Sequence, residues 1–305
     1  MPAYPRLSTN APLPVSAETA APPLILISND DSIAAPGIAV LIRVMRRLGE
    51  VVVVAPAAPQ SGMGHAITLS EPLRLDRSPL FEGIEAYTCS GTPADCVKIA
   101  KHLVLKGRRP DLVVSGVNHG SNASVNVIYS GTMSAALEAA IEGLPAIGFS
   151  LCDFSHEADF SHAEPWIEHV AREALTKGIP AGTALNVNIP KKSADPIVGA
   201  RVCRQARAKW QEEFDTRQDP YHRPYYWVLG QFLNEEPQAE DTDEWALAHN
   251  YVSIVPCQYD FTHHAGRQQL QQAWALQVPG RPTPAEPAQP KPVSPGDYGP
   301  ANPQG

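Results

Sequence analysis

Two adjacent aspartates, Asp30 and Asp31, close the run LILISNDD at residues 24–31, where four apolar residues give way to a polar break. Neighbouring carboxylates repel each other, and would repel a phosphate, unless a cation sits between them, so the pair points to a hard divalent metal on oxygen ligands. Two further loops offer donors of the same kind. Ser61 lies in PAAPQSGMGHAITLS and Asn118 in GVNHGSNASVNVIYSGT. Two carboxylates, a hydroxyl and an amide carbonyl suit Mg²⁺, Mn²⁺ or Ca²⁺ and not zinc, which prefers His and Cys. Two carboxylates roughly neutralise a dication and leave its open positions to water and a phosphate oxygen. A second feature, Tyr129-Ser130-Gly131-Thr132, opens a helix-forming run. Backbone N–H groups at a helix start, flanked by two hydroxyls and a glycine that permits close approach, form a phosphate cradle. Asn122, in the loop before it, adds a donor. Each feature alone also reads as a turn or a helix cap; what sets them apart is a shared location. The ten histidines form no triad; His65 and His119 flank the site and could touch substrate, whereas His263 and His264 read as solvated loop residues.

That location follows from the elements. Residues 24–28 read as a buried strand, which puts Asn29, Asp30 and Asp31 past its carboxyl end, where open parallel α/β sheets hold ligands. Ile38, Leu41, Val44, Met45 and Leu48 keep helical spacing up to Gly49, and VVVVA at 51–55 is a doubly buried strand, which completes a βαβ unit. The loop with Ser61 leaves that second strand. Segments 67–75 and 84–89 alternate as strands. A helix opens at Pro93 with Thr92 as its N-cap. DLVVS at 111–115 is a strand that ends in the loop of Asn118 and Asn122. A small-residue helix follows Thr132, then a strand at 145–149, a helix at 163–177 and a strand at 184–189. The expected class is α/β with a mainly parallel sheet, and Asp30, Asp31, Ser61 and Asn118 leave three strands at one edge.

The outer parts differ in composition. Residues 1–22 have little to bury and read as a flexible extension. From Lys191 the alternation weakens, and residues 200–235, with KWQEEF and YHRPYYWVLG, look like an extended arm or hairpin suited to contacting another subunit. DTDEWALAHNYVSIVP reads as a turn of helix capped by Thr242 or Asp243, then a strand; a last helix is expected at about 264–277. The proline-rich stretch from 279 to 305 reads as unstructured. The expected organisation is therefore an extension over 1–22, a catalytic core over 23–190, a segment with the arm over 191–278, and a tail.

The chain has 305 residues, 43% hydrophobic, enough to bury a full core. A net charge of -8 argues against a nucleic-acid groove. Five scattered cysteines without a CxxC pair argue for a reducing compartment, read here as the cytoplasm. The start lacks a charged region followed by an apolar one, and no apolar run is long enough to span a bilayer, so no membrane partner is expected.

Taken together, NDDSIAAPGI, PAAPQSGMGHAITL, CSGTPADCV, SGVNHGSNASVNVIYSGTMSAALEAA, NVNIP and TDEWALAHNYVSIVP resemble the survival protein SurE family, in the family's order over roughly residues 23–262. The resemblance implies a Rossmann-like three-layer core with a protruding hairpin that builds dimers or tetramers. It implies a metal-dependent nucleotidase that releases phosphate from nucleoside 5'- and possibly 3'-monophosphates, with one Mg²⁺ or Mn²⁺ per subunit. Asp30, Asp31, Ser61 and Asn118 would hold the metal, and Asn122, Ser130, Gly131 and Thr132 the phosphate. One of Asp30 and Asp31 would act as general base, Asp30 being preferred. Three features depart from the family pattern: Ser32 stands where members usually have glycine, Ser124-Val125-Asn126 replaces a stretch that often carries glycine and acidic residues, and the proline-rich ends have no counterpart. These bear on substrate preference more than on chemistry. Competing readings are a non-catalytic nucleotide or metal sensor, a phosphatase of another small phosphate or polyphosphate, and an aspartyl-phosphate enzyme with one aspartate as nucleophile. A nicotinamide oxidoreductase is excluded, because the first strand leads into NDDS and not GxGxxG.

Overall fold

A computed structural model describes residues 21–155 and 157–274. The expected extension over 1–22 therefore lies almost wholly outside the described residues, and the expected tail from 279 lies wholly outside them. The described residues divide into one compact unit that ends at Tyr259 and a second that starts at Asp260.

Apolar runs become strands as their composition requires. β1 (Leu24–Ser28) is buried along its whole length and lies between two parallel neighbours, β2 (Glu50–Pro56) and β5 (Leu112–His119). With β3 (Leu75–Arg77), β4 (Glu85–Cys89), β6 (Ala146–Leu151), β7 (Thr183–Ile189), β8 (Gly199–Val202) and β11 (Tyr251–Gln258) they make a nine-stranded sheet in the order β3-β4-β2-β1-β5-β6-β7-β11-β8. The run from β4 through β7 is parallel; β3 pairs antiparallel with β4, β11 antiparallel with β7, and β8 parallel with β11.

The pleat sends alternate side chains to opposite faces, and both faces are covered. Ile25, Ile27, Val51, Val53, Leu112 and Val114 pack on the side of α1 (Pro36–Met45) and α5 (Glu164–Lys177). Leu24, Leu26, Val52, Val54 and Val113 pack on the side of α2 (Pro93–Ile99) and α4 (Gly131–Ile141). This is the expected three-layer α/β core. Between the last two helices lies a short one, α3 (Asn126–Tyr129). α2 starts with a capping box, in which the Thr92 hydroxyl accepts from Asp95 N–H while the Asp95 carboxylate accepts from Thr92 N–H, and it runs on into a π-helical turn, Ala100–Val104.

Two expectations need correction. Residues 67–74 form no strand: Pro72 lacks the N–H a ladder needs, and Thr68 N–H donates to the Asp95 carboxylate. β5 runs four residues further than DLVVS. Its register against β6 shifts between Ser115 and Asn118, after which Asn118 pairs with Ser150 and His119 with Leu151. Asn118 therefore sits on a strand end and not in a free loop, and such irregularities serve to re-aim a side chain.

The segment beyond Lys191 has two parts. β9 (Ala208–Gln218) and β10 (Pro224–Asn234) form an antiparallel hairpin, paired from Ala208↔Asn234 to Gln218↔Pro224, whereas β8 and β11 extend the main sheet. α6 (Asp243–Ala248) is capped by Thr242, whose hydroxyl accepts from Trp245 N–H. In the second unit α7 (His264–Ala273) has no buried residue, and His264 pairs with Asp260 at 3.4 Å. No helix among the described residues is long and apolar enough to cross a membrane.

Candidate metal and phosphate site

β1 ends in a turn that Asn29 closes: its Nδ2 donates to Ser32 C=O at 2.7 Å. Ser32 follows at φ 84°, in the left-handed region that disfavours a side chain, which accounts for the glycine usual at this position among the proteins the sequence resembles. The turn is tied to the end of β2 by Ile33 N–H on Pro56 C=O at 3.0 Å.

Asp30 is only 4% exposed. Its Oδ1 accepts from Thr132 Oγ1 at 2.5 Å, and α4 begins against it. A Cβ on Gly131 would lie 2.6 Å from Asp30 Cβ and 2.9 Å from Oδ2, so glycine is what lets the helix start approach the carboxylate. Ser130 caps the same helix, its Oγ accepting from Met133 N–H at 3.0 Å. Burial pushes the Asp30 carboxyl up to about 6, the Asp31 charge adding to the effect and Thr132 opposing it. Burial likewise raises Asp31, against the opposing charge of His119. Asp31 Oδ2 and Asn29 Oδ1 are buried and have no hydrogen-bond partner among the described residues. Buried acceptors without donors are costly, and a cation is a natural complement to them.

The other sequence candidates reach this place to different degrees. Gln60 N–H donates to Asp30 C=O at 2.7 Å, which sets the next residue, Ser61, beside the aspartates, and Gly64 N–H on Tyr129 C=O at 3.1 Å ties the same loop to α3. Asn118 arrives on β5, the strand hydrogen-bonded to β1; its Nδ2 donates to Gly120 C=O at 2.9 Å, which leaves Oδ1 as an acceptor. Asn122 is committed elsewhere. Its Nδ2 donates to Ser150 Oγ at 2.9 Å, its N–H to Asn188 Oδ1 at 2.8 Å, and its C=O accepts from Asn186 Nδ2 at 2.8 Å. His65 turns toward Glu138, at 2.9 Å, and His119 Nδ1 toward Ser155 C=O, at 3.2 Å. Among the described residues no group of three or more His, Cys, Asp or Glu could hold a metal, so the only acidic donors here are Asp30 and Asp31.

Reading residues singly missed the supports. Asn186 and Asn188 alternate within the buried strand β7 and hold the Asn122 turn; polar residues two apart in such a strand were the available signal. Asp243, at the start of α6, is a tie: its Oδ2 accepts from Ser124 N–H at 2.8 Å and its Oδ1 from Ala206 N–H at 2.9 Å, pinning the loop before α3 to the base of the hairpin.

The chain matches the family described as Survival protein SurE over residues 25–212. It is 63% identical over 252 residues to the 5'-nucleotidase SurE of Cytophaga hutchinsonii, covering 83% of this chain and 97% of that protein. With the 5'-nucleotidase SurE of Flavobacterium psychrophilum the identity is 55% over 249 residues, covering 81% and 96%. The crystal structure of the SurE protein from Aquifex aeolicus superposes with a TM-score of 0.72 at 37% identity, covering 82% of this chain and 99% of that one.

Proposed function

The chain belongs to the Survival protein SurE family, and on that premise we propose that it is a divalent-metal-dependent 5'-nucleotidase, a phosphomonoesterase that converts nucleoside 5'-monophosphates, and in part 3'-monophosphates, to nucleoside and phosphate. The observation that carries this reading is the contact between the two halves of the site: the buried Asp30, next to a half-buried Asp31 with an orphaned oxygen, meets the start of α4 at Gly131 and Thr132. The names of the relatives agree with it.

Asp30, Asp31, Ser61 Oγ and Asn118 Oδ1 would hold one Mg²⁺ or Mn²⁺, the hard donor set such ions take. When bound, the metal supplies charge neutralisation of the phosphoryl oxygens and acidifies water. Asp30, whose carboxylate is fixed by Thr132, accepts the proton of the attacking water. Thr132 Oγ1 fixes the Asp30 carboxylate through Oδ1 and so aims its other oxygen. First-turn amides of α4 and Ser130 hold the equatorial phosphoryl oxygens, which leaves the leaving nucleoside oxygen in line with the attacking water. Asn122 acts by shaping the loop through Asn186 and Asn188, with its remaining Nδ2 hydrogen as the only direct donor it offers.

Catalysis is assigned to residues 23–190, and subunit contact to the segment 191–278. Phe214, Tyr225, Tyr226, Trp227, Val228 and Leu229 are all exposed on the hairpin, which supports a homodimer or homotetramer. Light scattering should give a multiple of 32.9 kDa for the wild-type chain and a smaller mass for Tyr226→Ser/Trp227→Ser; a wild-type monomer overturns this assignment. Five free cysteines fit a reducing compartment, read as the cytoplasm.

The test is phosphate release by the chelator-stripped chain from 5'-AMP, 3'-AMP, other nucleoside monophosphates and polyphosphate, with Mg²⁺ or Mn²⁺ added back. Metal-restored release from 5'-AMP is expected. Release that persists in EDTA overturns the metal dependence, and nucleotide binding without turnover favours the sensor.

A further inference from the structure

We propose that His65, Glu138 and Lys98 form a clamp that holds the Ser61 loop against α4, with His65 as a positioning residue that sets the affinity for the divalent metal. The proposal rests on the reading of Ser61 as a metal ligand.

Residues 131–140 of α4 are all buried, and Glu138 is the one charged side chain among them, at 3% exposure. A buried carboxylate costs several kcal/mol unless it is paired, and an apolar residue would hold two helices together as well. Both of its oxygens are taken. Lys98 Nζ of α2 lies 2.5 Å from Oε1, and His65 Nε2 of the loop 2.9 Å from Oε2. Burial alone would push the Glu138 carboxyl up; His65 and Lys98 outweigh that and hold it below the ordinary glutamate range, so it is ionised at neutral pH. A carboxylate only accepts, hence His65 donates from Nε2.

Glu138 stands seven residues after Gly131, two helical turns along the same face, so one face of α4 meets Asp30 at its start and His65 about 10 Å further on. Three residues lie between Ser61 and His65. Two of those between are glycines at positive φ, Gly62 at 74° and Gly64 at 56°, and Ser61, Gly62 and Met63 are exposed. Such a stretch loses much conformational freedom when it is fixed. Its other ties, Gln60 to Asp30, Gly64 to Tyr129, Ala66 to Thr92 and Thr68 to the buried Asp95 carboxylate, are hydrogen bonds through the loop's backbone; the tie of His65 to Glu138 is made by a side chain. A neighbouring pair, Lys101 with Glu142, joins α2 to α4 without touching the loop and so separates helix packing from loop placement.

Mn²⁺ binding by the full chain, measured by isothermal titration calorimetry together with thermal melting of the metal-free protein, tests the clamp. His65→Ala should weaken Mn²⁺ binding about tenfold, as loss of an outer support does at metal sites, while the metal-free midpoint stays within a few degrees of wild type. His65→Gln, whose amide nitrogen can occupy the Nε2 position, should recover most of the affinity. Lys101→Ala should bind Mn²⁺ as wild type does. Unchanged affinity in His65→Ala overturns the clamp alone, as does an equal loss in Lys101→Ala. No Mn²⁺ binding by the wild-type chain overturns the functional reading and the clamp with it.

Discussion

Asp30→Asn should lower phosphate release from 5'-AMP by about a thousandfold, the scale of a lost general base, and yet raise the melting temperature of the metal-free protein at pH 7.5. The two effects have one origin. In the folded chain the Asp30 carboxyl titrates at about 6, above its ordinary range. The folded state therefore binds this proton more tightly than the unfolded state does. Below about pH 4 both states are protonated and burial of the group costs little. As pH rises from there through 6 the unfolded chain ionises first, and folding stability falls; above 6 the penalty is complete, about 2–3 kcal/mol for a shift of roughly two units. Asparagine stays neutral throughout, and its amide oxygen can still accept from Thr132 Oγ1. The variant's advantage should thus be several degrees at pH 7.5, shrink toward pH 4.5, and disappear in excess Mn²⁺, where the wild type gains binding energy that the variant lacks. Asp31→Asn should be as inactive; its buried Oδ2 has no hydrogen-bond partner among the described residues. Differential scanning calorimetry in EDTA and in Mn²⁺ reads the stability effect. A metal-free Asp30→Asn that melts below wild type at pH 7.5, or either variant with full turnover, would refute the account.

Part of this was legible in the residues. LILIS and VVVVA could hardly be other than buried parallel strands, and a carboxylate doublet at a strand end announces itself because two adjacent charges need a reason. The contact between Asp30 and α4 was not legible, since it joins positions about a hundred residues apart through the absence of a side chain at Gly131. Asn122 shows what residue type alone leaves out. Its type and place fit a phosphate donor, but amides also serve turns, and only the fold shows that Asn186, Asn188 and Ser150 claim it. His65 was visible as a flanking histidine; that it faces Glu138 depends on α2, α4 and the loop converging, which no local pattern encodes. The failed strand at 67–74 has a similar cause. Its alternation was real, but Pro72 has no N–H for a ladder and Thr68 N–H goes to the Asp95 carboxylate.

Gly131→Ala separates these levels most sharply. Helix propensity alone makes alanine the better residue, by about 1 kcal/mol. The backbone at Gly131 is not in the left-handed region, so conformational freedom is not why glycine stands there. Space is: the added methyl would meet Asp30 Cβ at 2.6 Å and its carboxylate at 2.9 Å. Neither side can yield easily, because Asp30 follows a strand held on both edges and α4 is buried from Gly131 to Ala140. The clash should destabilise the protein by about 1–3 kcal/mol, as overpacking does. It should also turn the Asp30 carboxylate away from Thr132, with a loss of about a hundredfold in kcat/KM, the effect expected when reacting groups shift by about 1 Å. Gly143→Ala is the control. Nothing lies within 4 Å of a Cβ there, but φ is 72°, so that variant loses stability through its backbone at the far end of the same helix while Mn²⁺ affinity and KM for 5'-AMP stay at wild-type values. Equal kinetics in the two variants would mean that Gly131 serves the helix and not the site.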